Sequence, residues 1–286
     1  MAAVLLLVPF CLIVGTSGCS RPHEIDIGQP EGAEYVVRGR ELYKGLAACG
    51  FCHNEQPDPA AAAVGGRRQW DIYGEVRAAN LTPAASGIGG WSAKDVLRAV
   101  RGSRGRDGGY LSEQVHQGYE WMSDRDALSI VAYLQTLPPI ENPVPRRSLS
   151  ILERNTTGFF EGHDEQEGFV PEIDARYRVE YGKYLTDHVA RCGSCHTTPA
   201  TLLTSSSYLA GGTMIKTEAG EKYAPGIGNT AIDGIGEWSE ADIVRYLQSG
   251  QTPGGSLTDP RFCPTGFYRN ADPRDLEAIA KYLKSR

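Results

Sequence analysis

Long apolar runs, a basic surplus, methionine and strand-like alternation are all scarce in this chain. The apolar stretch from Val4 to Val14, broken by Pro9, falls well short of the roughly 20 residues that a bilayer-spanning helix needs. A net charge of −6 excludes the basic footprint of a nucleic-acid-binding protein, so no nucleic acid partner is expected. Only Met1, Met122 and Met214 are methionines, so a thioether ligand has few sources. Strand signals are few, which points to a mostly helical fold. What is present suffices for globular cores: 41% hydrophobic and 22% charged residues over 286 positions, a length that suits two domains.

Seven cysteines divide unevenly, and no pair is left over that reads as a structural disulfide. Four lie in two copies of one motif, Cys49-Gly50-Phe51-Cys52-His53 and Cys192-Gly193-Ser194-Cys195-His196. Cys-x-x-Cys-His is the attachment signature of a c-type haem: two thiols reach the two vinyl carbons on one porphyrin edge, and the His ligates the iron from one face. A bare Cys-x-x-Cys also serves redox dithiols and zinc sites. Two copies, each followed at once by His, favour two covalently bound haem c groups, held by Cys49, Cys52, Cys192 and Cys195 and ligated by His53 and His196.

The remaining cysteines are Cys11, Cys19 and Cys263. The run Val4 to Val14 and the small residues Gly15-Thr16-Ser17-Gly18 match the apolar core and cleavage zone of an export signal. Thr16-Ser17-Gly18-Cys19 resembles a bacterial lipobox, although Thr16 stands where Leu is usual and no Lys or Arg precedes the apolar run. Residues 1–18 are therefore expected to be a lipoprotein signal, Cys19 the acylated first residue, and 19–34 a tether. Simple secretion without acylation is the plainer alternative.

The chain repeats itself. Cys49 to Cys192 is an offset of 143, Gly87-Ile88-Gly89-Gly90-Trp91-Ser92 returns as Gly234-Ile235-Gly236-Glu237-Trp238-Ser239 at 147, and Tyr133-Leu134 returns as Tyr282-Leu283 at 149. Each copy reads as three helical segments. The first carries Gly39 or Gly182, a residue suited to close helix approach. The middle one starts at Ser92 or Ser239, an N-cap with a carboxylate at N3 (Asp95, Asp242). The last shows a helical stripe, Ala127, Ile130, Val131 and Leu134 in one copy and Leu276, Ile279, Ala280 and Leu283 in the other. Pro138-Pro139 end the first of these helices, and a polar connector follows.

Cys-x-x-Cys-His, then Gly-Ile-Gly-x-Trp-Ser-x-x-Asp, then a last helix ending in Tyr-Leu resembles class I cytochrome c. The likeness is to the haem domains of the multihaem cytochrome subunits that serve bacterial periplasmic dehydrogenases. It implies an all-α fold of two tandem domains, residues 35–139 and 177–286, joined by a linker at 140–176. It also makes Trp91 and Trp238 candidates for the haem pockets, with plain core packing as the alternative.

In such proteins the sixth iron ligand is a Met, often followed by Pro, about 16 to 19 positions before the Tyr of the last helix, and it sets much of the potential. Met214 lies between haem motif and middle helix, the wrong place. Cys263-Pro264 stands nineteen before Tyr282, with Cys in place of Met, so Cys263 is the expected second-haem ligand. The repeat offsets carry that slot to Gln114 or His116, and His116 is seventeen before Tyr133, while Met122 is eleven before it. His116 is the expected first-haem ligand, with Met122 as the alternative. His188 is expected to pack locally, and His23 and His163 to be solvated.

These residues lead to the expectation of a periplasmic dihaem cytochrome, anchored to the membrane by lipid. It would transfer single electrons between a dehydrogenase or other redox partner and a respiratory or photosynthetic membrane chain. Thiolate and bis-imidazole ligation would place both haems at low potential. No catalytic residue is assigned. The alternative is a haem enzyme of sulfur-compound oxidation, resembling thiosulfate dehydrogenases and using the Cys-ligated haem.

Overall fold

The computed structural model describes residues 30–109, 111–156, 168–201, 203–229 and 234–286. The expected signal, Cys19, most of the tether, His23 and His163 lie outside the described residues. So does the linker's middle, 157–167.

The elements come in two successive sets with matching order. The first set comprises α1 (Ala33–Lys44), α2 (Cys49–Cys52), the hairpin β1 (Arg68–Asp71) and β2 (Gly74–Arg77), α3 (Ala93–Gly102), α4 (Glu113–His116) and α5 (Asp124–Gln135). A short α6 (Ile151–Thr156) follows. The second set comprises α7 (Arg178–Tyr184), α8 (Cys192–His196), the hairpin β3 (Met214–Thr217) and β4 (Gly220–Tyr223), α9 (Glu240–Ser249), α10 (Thr265–Tyr268) and α11 (Pro273–Lys284). A single π-turn, Leu185–Val189, extends α7 toward α8.

The helix starts follow from local chemistry. Ser92 and Ser239 each accept the N3 backbone N–H, from Asp95 and Asp242, whose carboxylates bond back to the cap's own N–H. These boxes satisfy donors that the first turn leaves orphaned. Asp272 caps α11, with Pro273 at its first position, where a missing N–H costs nothing.

In each set the first helix packs on the last, and a glycine lies at the crossing. A Cβ on Gly39 would sit 1.8 Å from the Ser129 carbonyl oxygen, and one on Gly182 would sit 2.0 Å from that of Ala278. No side chain fits there. The crossing closes over the apolar stripes, so Ile130, Val131 and Leu134 join Leu42 and Tyr43, and Leu276, Ile279 and Leu283 join Leu185 and Val189, in one contiguous buried cluster.

Strict all-α character needs a correction. Two antiparallel hairpins are present, pairing Arg68 with Arg77 and Met214 with Tyr223 at their open ends. Each follows its haem-attachment motif, and each turn closes on a glycine at positive φ, Gly74 at 99° and Gly220 at 116°. The hairpins face one another: Arg68 meets Glu218 at 3.3 Å, and Lys216 lies over the Trp70 ring at 5.6 Å.

Further contacts join the two sets. Arg38 of α1 pairs with Asp126 of α5 at 2.9 Å and lies 3.6 Å from Asp275 of α11. The Tyr184 hydroxyl donates to Asp126 Oδ2 at 2.7 Å. Arg67 donates to the Arg261 carbonyl, and Asn270 to the Lys44 carbonyl. The Phe51 and Phe267 rings stand perpendicular, with centroids 6.3 Å apart. The two attachment motifs therefore share one packed interior.

Candidate functional site

Both motifs begin in the same unusual way. The residue ahead of the first Cys takes a left-handed conformation, Ala48 at φ 45° and Arg191 at φ 51°, and the motif then turns as one short helix. Cysteines three apart on a helical turn share a face, so both thiols of a pair can reach one ligand edge.

The following imidazole is oriented by backbone in both copies. His53 Nδ1 lies 2.8 Å from the Ala79 carbonyl oxygen, and His196 Nδ1 lies 2.7 Å from that of Pro225. Donating from Nδ1 leaves the Nε2 lone pair free for a metal. Burial lowers the pKa of both rings, with the carbonyls opposing it, so both are neutral, which is the ligating form. Burial pushes the Cys49 thiol up to about 12 and raises Cys52 and Cys195 as well. A redox dithiol needs an activated thiolate, and these are the reverse. Among the described residues no three His, Cys, Asp or Glu side chains gather into a bare-metal site.

Opposite His53 stands His116, at the end of α4. The two ring centroids are 6.3 Å apart with planes 26° from parallel. That lies at the long end of the range for stacked aromatic rings. It matches two imidazoles sharing one metal, where a bond of about 2 Å and roughly 1.1 Å from nitrogen to centroid are taken on each side. Burial, with His53 and Arg191 adding to it, brings the His116 pKa down to about 3, so this ring too is neutral. Its Nδ1 is buried and lacks a hydrogen bond of ordinary geometry. Met122 is wholly buried in the core, just ahead of the α5 cap Ser123, which accepts the Asp126 N–H.

In the second set Cys263 is a half-buried free thiol, packed against the core and near both Cys192 and Cys195. Burial pushes it up to about 12, while the Tyr246 hydroxyl and the Thr265 N–H face its sulfur and draw it down. Tyr246 is held by Thr258 at 2.9 Å and by an edge contact with Trp238 at 5.3 Å. Trp91 and Trp238 are both half-buried against the core. The residues present thus fit a covalently held haem in each set: a paired thiol edge and an oriented neutral imidazole, with the His116 ring 6.3 Å from His53 in the first set and the Cys263 thiol near the cysteine pair in the second.

Two features escaped the sequence. His188 packs locally on the Tyr184 ring, centroids 6.4 Å apart, and also reaches across the sets, its Nδ1 2.9 Å from the Gly118 carbonyl oxygen. Arg191 reaches the first set as well, and no local pattern signals it.

No family model matches the chain. Among curated proteins it is 30% identical over 285 residues to the fructose dehydrogenase cytochrome subunit of Gluconobacter japonicus, covering 96% of this chain and 57% of that one. It is 29% identical to a diheme cytochrome c-type protein of Cereibacter sphaeroides, covering 96% and 94%. It is 26% identical to the cytochrome c subunit of the quinone alcohol dehydrogenase of Gluconacetobacter polyoxogenes, covering 96% and 59%. The chain thus spans little more than half of the two dehydrogenase subunits. Fold, motifs and relatives together define a c-type cytochrome, which implies covalently bound haem c. Within that class it resembles the multihaem cytochrome c subunits of bacterial dehydrogenases.

Proposed function

We propose that this chain is a dihaem electron carrier, built as two tandem class I cytochrome c domains (35–139 and 177–286) around a linker at 140–176. It passes single electrons from a dehydrogenase partner, or another redox protein, toward a membrane electron-transport chain. The observation that carries the reading is the 6.3 Å separation of His53 and His116, which equips the first site with two imidazoles. Cys49, Cys52 and His53 hold one haem with His116 as sixth ligand, and Cys192, Cys195 and His196 hold the other with Cys263. When bound, each haem supplies a one-electron couple, and the chain's residues set its potential, shield it from water and orient its ligands. The Cys263 thiol, raised by burial in the free chain, would be deprotonated by the iron that it ligates; a thiolate and a second imidazole both stabilise the ferric state relative to a thioether, so both potentials lie below those of His/Met cytochromes. Redox titration tests this: both midpoints in the His/Met range would refute it.

The protein is periplasmic in this reading and anchored through acylated Cys19. Membrane release of a Cys19→Ser variant is the matching test. The alternative, sulfur-compound oxidation at the Cys263 site, has less to support it. None of the relatives above bears such a name, and the nearby Arg261 guanidinium is taken up by Asp259 at 2.6 and 2.9 Å. Thiosulfate-dependent ferricyanide reduction that is abolished by Cys263→Ala would favour it.

A further inference from the structure

The segment that carries His116 is held in place from the other set. Arg191, the left-handed residue directly ahead of Cys192, donates through Nη1 to the carbonyls of Val115 at 2.7 Å and Gln117 at 3.1 Å. These two carbonyls flank His116. The same guanidinium lies over the Tyr119 ring at 4.1 Å. One residue further, Gly118 at φ 107° is pressed between the Asp187 carbonyl and the Arg191 side chain, where a Cβ would come within 2.9 and 3.0 Å of them. Its own carbonyl faces His188 Nδ1. The turn leading into the second attachment motif thus grips the backbone from Val115 to Tyr119.

The arrangement is one-sided. The counterpart of Arg191 in the first set is Ala48, which has the same left-handed backbone and no side chain to reach across. Arg191 also keeps its Nε buried without a partner. Leaving a guanidinium donor unsatisfied costs stability, and among the described residues no carboxylate pairs with Arg191 to offset it. Its compensation comes from the two carbonyls and the ring of the His116 segment. α4 is only four residues long, too short to hold its last side chain against a metal by itself.

We propose that Arg191 is a positioning residue for the first haem: from the second set, it clamps the backbone on both sides of His116 and keeps that imidazole on the iron. The inference rests on His116 being the sixth ligand. It makes axial ligation at one haem depend on the chain that attaches the other.

The test uses full-length holoprotein carrying Arg191→Met, with Arg191→Lys and His116→Ala beside it. It is read by low-temperature EPR of the oxidised form and by carbon monoxide uptake of the reduced form, per haem. Arg191→Met is expected to lose the bis-imidazole signal and gain carbon monoxide binding at one haem, with the His/Cys signal of the other unchanged. A purely structural role would weaken both haems together. Arg191→Lys keeps the cation and at most one carbonyl contact, so it is expected to bind carbon monoxide more slowly but measurably, and it serves if the Met variant does not accumulate. Wild-type ligation with no carbon monoxide uptake in the Met variant, or in the Lys variant where it stands in, overturns the proposal. His116→Ala separates the two levels: if it leaves the first haem's signal intact, the ligand reading has failed. If it abolishes that signal while Arg191→Met does not, only the clamp has.

Discussion

Gly39→Ala puts the packing account to a quantitative test. The added methyl would lie 1.8 Å from the Ser129 carbonyl oxygen, 2.5 Å from its carbon and 2.8 Å from Tyr133 Cβ. Two of these atoms are backbone in the middle of α5, so no rotamer change relieves the clash. The helices must part by more than 1 Å, and a gap of that order forfeits about a quarter to a half of each dispersion contact it opens. Overpacking of this kind costs about 3 kcal/mol, and the better helix propensity of Ala returns about 1 kcal/mol. The net loss of about 2 kcal/mol lowers the melting temperature by roughly 10 °C for a unit of about 100 residues. Gly182→Ala, which meets the Ala278 carbonyl at 2.0 Å, should behave alike. Gly102→Ala is the control, because its methyl meets only Arg104 Cγ at 3.8 Å and should be neutral or mildly stabilising. Thermal unfolding of the holoprotein, followed by Soret circular dichroism, reads all three. A Gly39→Ala protein melting within about 2 °C of wild type would refute the reasoning.

Three further outcomes are expected. Cys263→Met exchanges a thiolate for a thioether, so the second haem's midpoint should rise by on the order of 0.1 V, within the about 0.8 V that axial ligands span; redox titration reads it. Met122→Ala empties a fully buried site and should cost about 2 to 5 kcal/mol in denaturant unfolding, while leaving the first haem's EPR signal unchanged. Asp71 supplies an acid-sensitive strut. Burial pushes its pKa up, but Arg147 at 2.6 and 2.7 Å, Ser112 and the Tyr73 N–H outweigh it and bring the carboxyl below the ordinary 3.8. The folded form has the lower pKa, so this stabilisation is complete above the unfolded value and is lost as pH falls from about 4 through the folded one. Asp71→Asn should lose about 2 kcal/mol at neutral pH and show a flatter decline on acidification.

The parts of this molecule set by local chemistry are legible in the sequence. Both cysteine pairs with their histidines, both Ser–Asp capping boxes and both apolar stripes depend on residues within a few positions of one another. Gly39 and Gly182 were readable because a duplicated glycine at the same helical position suggests a crossing. The hairpins were not, since strands of four residues are too short for alternation to stand out. Gly74 and Gly220, each at the close of a turn, were the available signal. The cross-set contacts of His188 and Arg191 lay beyond reach for a different reason. Their partners sit 70 or more residues away, and a single sequence carries no trace of which carbonyl a side chain will meet. Subtraction between the repeats points to His116, but its 6.3 Å relation to His53 is a matter of three dimensions.

Low-temperature EPR of the fully oxidised holoprotein tests the central claim most directly. Two low-spin species in equal amounts are predicted, one with bis-imidazole and one with imidazole–thiolate character, the first lost in His116→Ala and the second in Cys263→Ala. A spectrum of imidazole–thioether haems, unaltered by either substitution, would contradict the account.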